Sequence, residues 1–189
     1  MKPHLKIVNA DSDSDFEGII MLQSRNLKKG LPKLEWVKEG FVTAIHSQQL
    51  LRDMNTPYPH SIAKTDDGTV VGYALTMLPD RRNDLAVLVP MFEMIDSSKV
   101  GQKTLGELYY VVMGQVCIAK DFRRMGLFRK LYDHLIGRLG LHYDYMVTEV
   151  ATSNVRSLEA HKHYGFEELK VYTADELEWS ILFKEITCK

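Results

Sequence analysis

Four basic side chains, Arg123, Arg124, Arg129 and Lys130, crowd the sequence around Gly126. An apolar run, residues 116–119, leads in, and a double row of apolar positions leads out: Leu127, Leu131 and Leu135 with Phe128, Tyr132 and Ile136. That pattern predicts a buried strand, a tight basic turn and, directly after it, an amphipathic helix. A helix start reached this way presents N–H groups ahead of its hydrogen-bond ladder. The helix dipole adds positive potential there, and together they favour an anion such as a diphosphate. Gly126 lets backbone approach a ligand closely, and Arg123, Arg124, Arg129 and Lys130 would supply charge to it. The same string also reads as a solvated basic turn, and the residues alone leave both readings open. Further on, Asn154, Ser157 and His161 fall at i, i+3 and i+7 on one helix face, and Glu149 ends the strand before them. His134, His142 and His163 share no ligand spacing, so they read as surface residues and no metal site is expected.

These positions need elements to hold them. Residues 5–8 form a strand candidate. The string Asp11, Ser12, Asp13, Ser14, Asp15 then offers capping side chains ahead of Phe16, Ile19, Ile20 and Leu27 at helical spacing. Residues 34–54 read as helix in at least two pieces, stopped by Pro57 and Pro59. Asp66-Asp67-Gly68, between the β-prone runs 61–65 and 69–78, predicts an antiparallel hairpin. After a polar loop, residues 85–95 predict a helix with Pro90 in its first turn or at a kink. Residues 108–119 predict a buried strand, and the helix from Leu127 ends at Gly140. A strand over 145–150, a helix over 154–163 and strands over 166–172 and 179–186 complete the chain. This order predicts an α/β sheet covered by helices, in one domain over residues 1–189.

Composition excludes several classes. With 24 Lys and Arg against 25 Asp and Glu, a net charge of −1 offers no global field for nucleic acid or an anionic membrane. The two cysteines, Cys117 and Cys188, form no Cys-x-x-Cys spacing, and no apolar stretch approaches the ~20 residues needed to span a bilayer. A soluble, unprocessed protein of the reducing cytoplasm is expected.

The segment from Val116 to Leu131 resembles the acyl-CoA motif of the GNAT superfamily of N-acetyltransferases, Gln/Arg-x-x-Gly-x-Gly/Ala. Arg123 stands in its first position and Gly126 in its fourth, while Phe128 replaces the small residue of the sixth. The segment 146–166 resembles the superfamily's later strand-helix unit through Asn154 and Gly165-Phe166, with His161 where a Tyr is usual. The resemblance covers residues 108–166 and, more loosely, the hairpin with Val70, Val71, Gly72, Tyr73 and Ala74.

The resemblance implies a GNAT-type fold: a mixed, mostly antiparallel central sheet, helices on both faces and a splayed strand pair for acyl-CoA. It implies acetyl-CoA as co-substrate, with the diphosphate on the turn of Arg123, Arg124, Met125, Gly126, Leu127 and Phe128. The backbone of Val116, Cys117 and Ile118 would pair with the pantetheine arm, one amide bonding the thioester oxygen where negative charge develops. Asn154, Ser157 and His161 would face the cofactor. His161 would give a proton to the departing thiolate if a neighbour raises its pKa, or bond the sulfur, or only pack. Glu149 matches a general base of relatives that acetylate protein N-termini; its alternative is a strand-end charge facing solvent or pairing with Arg156. Glu107, Tyr109 and Tyr110 stand in reserve. Cys117 reads as core filler rather than nucleophile.

The expected activity is transfer of acetyl to a primary amine of a small molecule or peptide by direct attack. A non-catalytic acyl-CoA-binding module is the alternative, and a longer-chain acyltransferase a third reading. Residues 30–59 and 79–107 would wall the acceptor, through Trp36, Phe41, Tyr58, Met91, Phe92 and Met94, which also suit an ordinary core. A second copy of the chain is an optional partner; nucleic acid and membrane are not expected.

Overall fold

The capping string before Phe16 works through Ser12. In the computed structural model, which describes residues 4–30, 32–83, 88–174 and 176–187, the Ser12 hydroxyl accepts the Asp15 N–H at 3.3 Å and the Asp15 carboxylate accepts the Ser12 N–H. Such a capping box is worth about 1 kcal/mol. Helix α1 (Asp13–Asn26) thus follows β1 (Leu5–Asn9) and buries Phe16, Ile19 and Leu22. The predicted two-piece helix is α2 (Lys33–Glu39) and α3 (Gln48–Met54). The Asp66-Asp67-Gly68 turn joins β2 (Ser61–Thr65) to β3 (Val70–Met77) in antiparallel register.

Helix α4 (Val89–Asp96) begins with Pro90 in its first turn, where a missing N–H costs no ladder bond. Residues 84–87, the start of the predicted 85–95 helix, and Cys188 lie outside the described residues. The pattern gave no sign of the two-residue strands β4 (Lys99–Val100) and β5 (Lys103–Thr104). The remainder is β6 (Tyr110–Ile118), α5 (Leu127–Leu139), β7 (Tyr145–Ala151), α6 (Val155–Tyr164), β8 (Glu167–Ala174) and β9 (Leu177–Glu185). Gly165 ends α6 in the left-handed region, φ +101, and its N–H and that of Phe166 return to the carbonyls of Lys162 and His161.

The chain forms two compact units, Met1–Thr76 with Gln115–Ile136, and Met77–Gly114 with Gly137–Lys189. Strand β6 gives residues 115–118 to the first and 110–114 to the second. Neighbouring strands run β1-β2-β3-β6 in the first unit and β6-β7-β9-β8 in the second. The β6–β7 pair is parallel; β1–β2, β2–β3, β7–β9 and β8–β9 are antiparallel. The sheet is therefore mixed and mostly antiparallel, as expected. Among the described residues the β6–β7 ladder covers only Tyr110–Val112 against Tyr145–Val147.

In the first unit Ile19, Leu51, Ile62, Tyr73, Leu131 and Tyr132 are fully buried, and in the second Phe92, Ile95, Val111, Val147, Ile181 and Leu182. His60 is buried with them: its Nε2–H donates to the Leu51 carbonyl at 3.0 Å and its Nδ1 accepts the Thr76 N–H at 3.1 Å, which ties α3 to β3. Among the described residues no helix is long and apolar enough to cross a membrane.

Candidate active site

Between β6 and α5 the chain turns sharply in the first unit. Arg124 (φ 63) and Gly126 (φ 77) both take left-handed backbone, one residue apart. A non-glycine residue there costs roughly 1–2 kcal/mol, so the Arg124 conformation is held by its surroundings, a feature that concentrates at ligand sites. The first ladder bond of α5 runs from the Lys130 N–H to the Gly126 carbonyl at 3.2 Å. The amides of Met125, Gly126 and Leu127 therefore lie ahead of the ladder. A Cβ built on Gly126 would meet nothing within 4 Å, so the backbone here faces open space. Leu127 sends its side chain into the core, Phe128 stacks on Tyr132 with ring centroids 4.7 Å apart, and Arg124, Arg129 and Lys130 are exposed. This geometry suits a diphosphate: a helix start, left-handed turn residues and an open backbone face.

Arg123 has a different task from the phosphate contact expected of its side chain. Its Nε donates to the Ile118 carbonyl at 2.9 Å, Nη1 to the Glu39 carbonyl and carboxylate at 3.0 and 2.8 Å, and Nη2 to Asn26 Oδ1 at 2.9 Å. The guanidinium is tied to α1, α2 and the end of β6. It supports the turn from behind, and any contact of this residue with an anion falls to its backbone.

Val116, Cys117 and Ile118 occupy the second half of β6. Cys117 is buried, and burial pushes its thiol up to about 12 against the opposing pull of Arg123 and Tyr73. It is protonated at physiological pH and unsuited to nucleophilic catalysis. Gln115, which sequence reasoning passed over inside an apolar run, bridges two elements: its Oε1 accepts the Tyr73 hydroxyl at 2.6 Å and its Nε2 donates to the Ala44 carbonyl at 3.1 Å. Gln23 holds the same loop, its Oε1 accepting the His46 N–H and its Nε2 donating to His46 Nδ1, both at 2.9 Å.

The second unit carries the other expected residues. Glu149, on β7, is half-buried; burial raises its pKa, and a hydrogen bond from the Tyr172 hydroxyl to Oε1 opposes that rise. The alternative partner named for Glu149 was Arg156; its hydrogen-bond partner among the described residues is Tyr172, a residue the sequence reading missed. Asn154 is the buried N-cap residue of α6, its carbonyl accepting the Leu158 N–H. His161 sits one helical turn below Ser157, and its Nδ1–H donates to the Ser157 carbonyl at 2.7 Å while the Ser157 hydroxyl lies 3.4 Å away. The imidazole is buried, edge-on to Phe166 at 5.3 Å, and burial takes its pKa down to about 4 despite the Ser157 bond. A proton donor at neutral pH needed the opposite shift. At pH 7 roughly one molecule in a thousand carries the second proton, so the donor role expected of His161 does not fit its surroundings, and a neutral packing or sulfur-contact role does.

The reserve candidates have structural employment. The Glu107 carboxylate accepts the Thr104 N–H and hydroxyl at 2.8 Å, and the Tyr110 hydroxyl donates to Asp96 at 2.7 Å. Tyr109 is exposed. His134, expected at the surface, bonds Ser61 Oγ at 2.7 Å. Of the expected acceptor wall, Phe92 and Phe41 are buried, with Trp36 edge-on to Phe41 at 5.5 Å. Among the described residues no cluster of His, Cys, Asp and Glu is arranged to hold a metal.

Comparison of the sequence with those of curated proteins yields no significant match. The chain is similar in fold to the ribosomal-protein-S18-alanine N-acetyltransferase of Escherichia coli, with a TM-score of 0.63 and 15% identity over 98% of this chain and 96% of that one. Ard1 from Thermoplasma volcanium gives 0.65 and 16%, covering 96% and 97%. The structure of YncA from Salmonella typhimurium with acetyl-CoA gives 0.63 and 15%, covering 98% and 96%. Residues 31–166 match the model of the acetyltransferase (GNAT) family, well over half of the chain, and the chain belongs to that family.

Proposed function

We propose that this protein is an N-acetyltransferase that moves acetyl from acetyl-CoA to a primary amine of a small molecule or peptide by direct attack. The observation that carries the reading is the turn at Gly126, with its left-handed backbone, open face and amides ahead of the α5 ladder. Family membership and the acetyl-CoA and CoA named with similar structures support it. Backbone amides of residues 124–128 would hold the diphosphate and those of residues 116–118 the pantetheine arm; Asn154 and Ser157 are proposed as further contacts.

When bound, acetyl-CoA supplies a thioester that a neutral amine can attack. Glu149 is the proposed base. Its half-buried carboxylate, with a pKa raised by burial, accepts the amine proton directly or through one water more readily than an exposed one would. As the C–N bond forms, that proton passes to Glu149 and the sulfur leaves as the C–S bond breaks. Cys117, protonated and buried, takes no covalent part. An alanine of ribosomal protein S18 and a Gag peptide bound to the NatC complex are named with two similar structures, which makes peptides the first acceptors to try.

The test is acetyl-CoA-dependent thiol release across a panel of small amines and peptides. Release with at least one amine, reduced by ~100-fold or more in Glu149→Gln, is expected. CoA binding with no release for any amine would favour the non-catalytic binding module, and tighter binding of long-chain acyl-CoA a different donor.

A further inference from the structure

Glu149 and Tyr172 come from strands that do not touch. Strand β9 lies between them: Glu149 pairs with Ile181, and Tyr172 pairs with Trp179, which in turn pairs with Ala151. Since side chains alternate along a strand, Glu149, Ile181, Trp179 and Tyr172 share one face of the sheet. The phenol reaches diagonally across β9 and its hydroxyl donates to Oε1 of the Glu149 carboxylate.

We propose that Tyr172 is the positioning residue of the acetyl transfer: its hydroxyl fixes Oε1 of Glu149 and so leaves Oε2 as the atom that takes the amine proton. The inference rests on the reading of Glu149 as base. A glutamate carboxylate on a strand otherwise swings about three side-chain torsions, and one charge-assisted hydrogen bond selects a single orientation. The same bond favours the charged form and offsets part of the rise that burial imposes. Burial therefore raises the pH at which the base becomes available, and Tyr172 brings it part of the way back.

The other charges on this face are few. On β8 the register puts Lys170 opposite Ile181 and Glu167 opposite Phe183, and at the far end of β9 it puts Glu185 opposite Tyr145. On β7 itself the same face carries Tyr145, Val147 and Ala151, and on the β6 ladder Tyr110 and Val112, so Tyr145 and Tyr110 are the remaining titratable groups there. Neither Lys170 nor Glu185 contributes to the shift of Glu149.

Two readouts on the apo protein and the enzyme test this. The carboxyl carbon of Glu149 is titrated by NMR, assigned through Glu149→Gln, and kcat/KM is measured against pH with the best amine of the panel. Tyr172→Phe should raise the Glu149 titration midpoint and move the acidic limb of kcat/KM to higher pH by about half to one unit, lowering the rate ~3- to 10-fold below the limb. Site-specific 3-fluorotyrosine at position 172, a more acidic donor, should move both to lower pH. That opposite sign separates tuning from a packing defect and serves if Tyr172→Phe folds poorly. Unmoved midpoints in both variants, with Glu149→Gln still lacking the limb, would overturn the role of Tyr172 and leave the base. A Glu149→Gln enzyme with wild-type rate and limb would overturn the base assignment and the inference with it.

Discussion

The guanidinium of Arg123 and the carboxylate of Glu39 meet at 2.8 Å with side chains only 12% and 20% exposed, and the same guanidinium reaches Asn26 and the Ile118 carbonyl. Removing it takes the Arg123 donor from a mostly buried carboxylate, from the Ile118 and Glu39 carbonyls and from Asn26 Oδ1. Arg123→Ala should cost about 2–4 kcal/mol in urea denaturation. Arg123→Lys should recover little, because an ammonium cannot serve three directions in one plane. A loss below about 0.5 kcal/mol would show that the ties are incidental.

Two windows of pH dependence follow from buried groups. Burial lowers the folded pKa of His161 to about 4, below its unfolded value near ~6.5. The unfolded chain then binds the extra proton between those values, so stability falls as pH drops from about 6.5 to 4, by at most about 3 kcal/mol. His161→Phe should flatten that part of a stability-against-pH curve; an unchanged slope would contradict the burial of the imidazole.

Asp15 acts lower. Burial by itself would raise its pKa, yet the Lys64 ammonium at 2.6 Å and the N–H and hydroxyl donors of Asp11 and Ser12 bring it below the usual carboxylate value. A depressed carboxylate stabilises above its unfolded pKa, and that stability disappears as pH falls through the folded one. Asp15→Asn should therefore be less stable than the parent at pH 7, with the gap closing below about pH 3.9. A gap independent of pH would refute the ion pair.

The Thr76 hydroxyl is buried and has no hydrogen-bond partner among the described residues. Thr76→Val keeps the shape and removes the orphan group, so stability should hold or rise by about 1 kcal/mol. A loss of more than about 1 kcal/mol on denaturation would mean that the hydroxyl is satisfied in solution.

Features written within a few residues were legible in the sequence. Ser12 with Asp15 announced a helix start, Asp66-Asp67-Gly68 a hairpin, and the double apolar row from Leu127 a helix that stops just before Gly140. What escaped depends on distant partners. Arg123 was read as phosphate charge because the residues that occupy it, Asn26 and Glu39, lie 97 and 84 positions away. Tyr172 meets Glu149 only through the β7–β9–β8 register. The depth of His161 followed from how α6 packs, and helical spacing alone does not tell a ligand-facing stripe from a buried one. The strands β4 and β5 are too short to show a period.

Gly126 at φ +77 with open space around its Cα predicts a split result. Gly126→Ala meets no neighbour, so only the left-handed strain of about 1 kcal/mol should appear in stability. Coenzyme A affinity should fall by more than that strain implies, because the methyl occupies the face proposed for the diphosphate. Equal affinity in isothermal titration would detach Gly126 from the cofactor.

The account stands most directly on where coenzyme A touches the backbone. An amide NMR titration of the full chain with coenzyme A should shift the N–H signals of Arg124 to Phe128 first and furthest, with those of Val116 to Ile118 following. Saturable shifts confined to other residues, or none up to millimolar ligand, would contradict it.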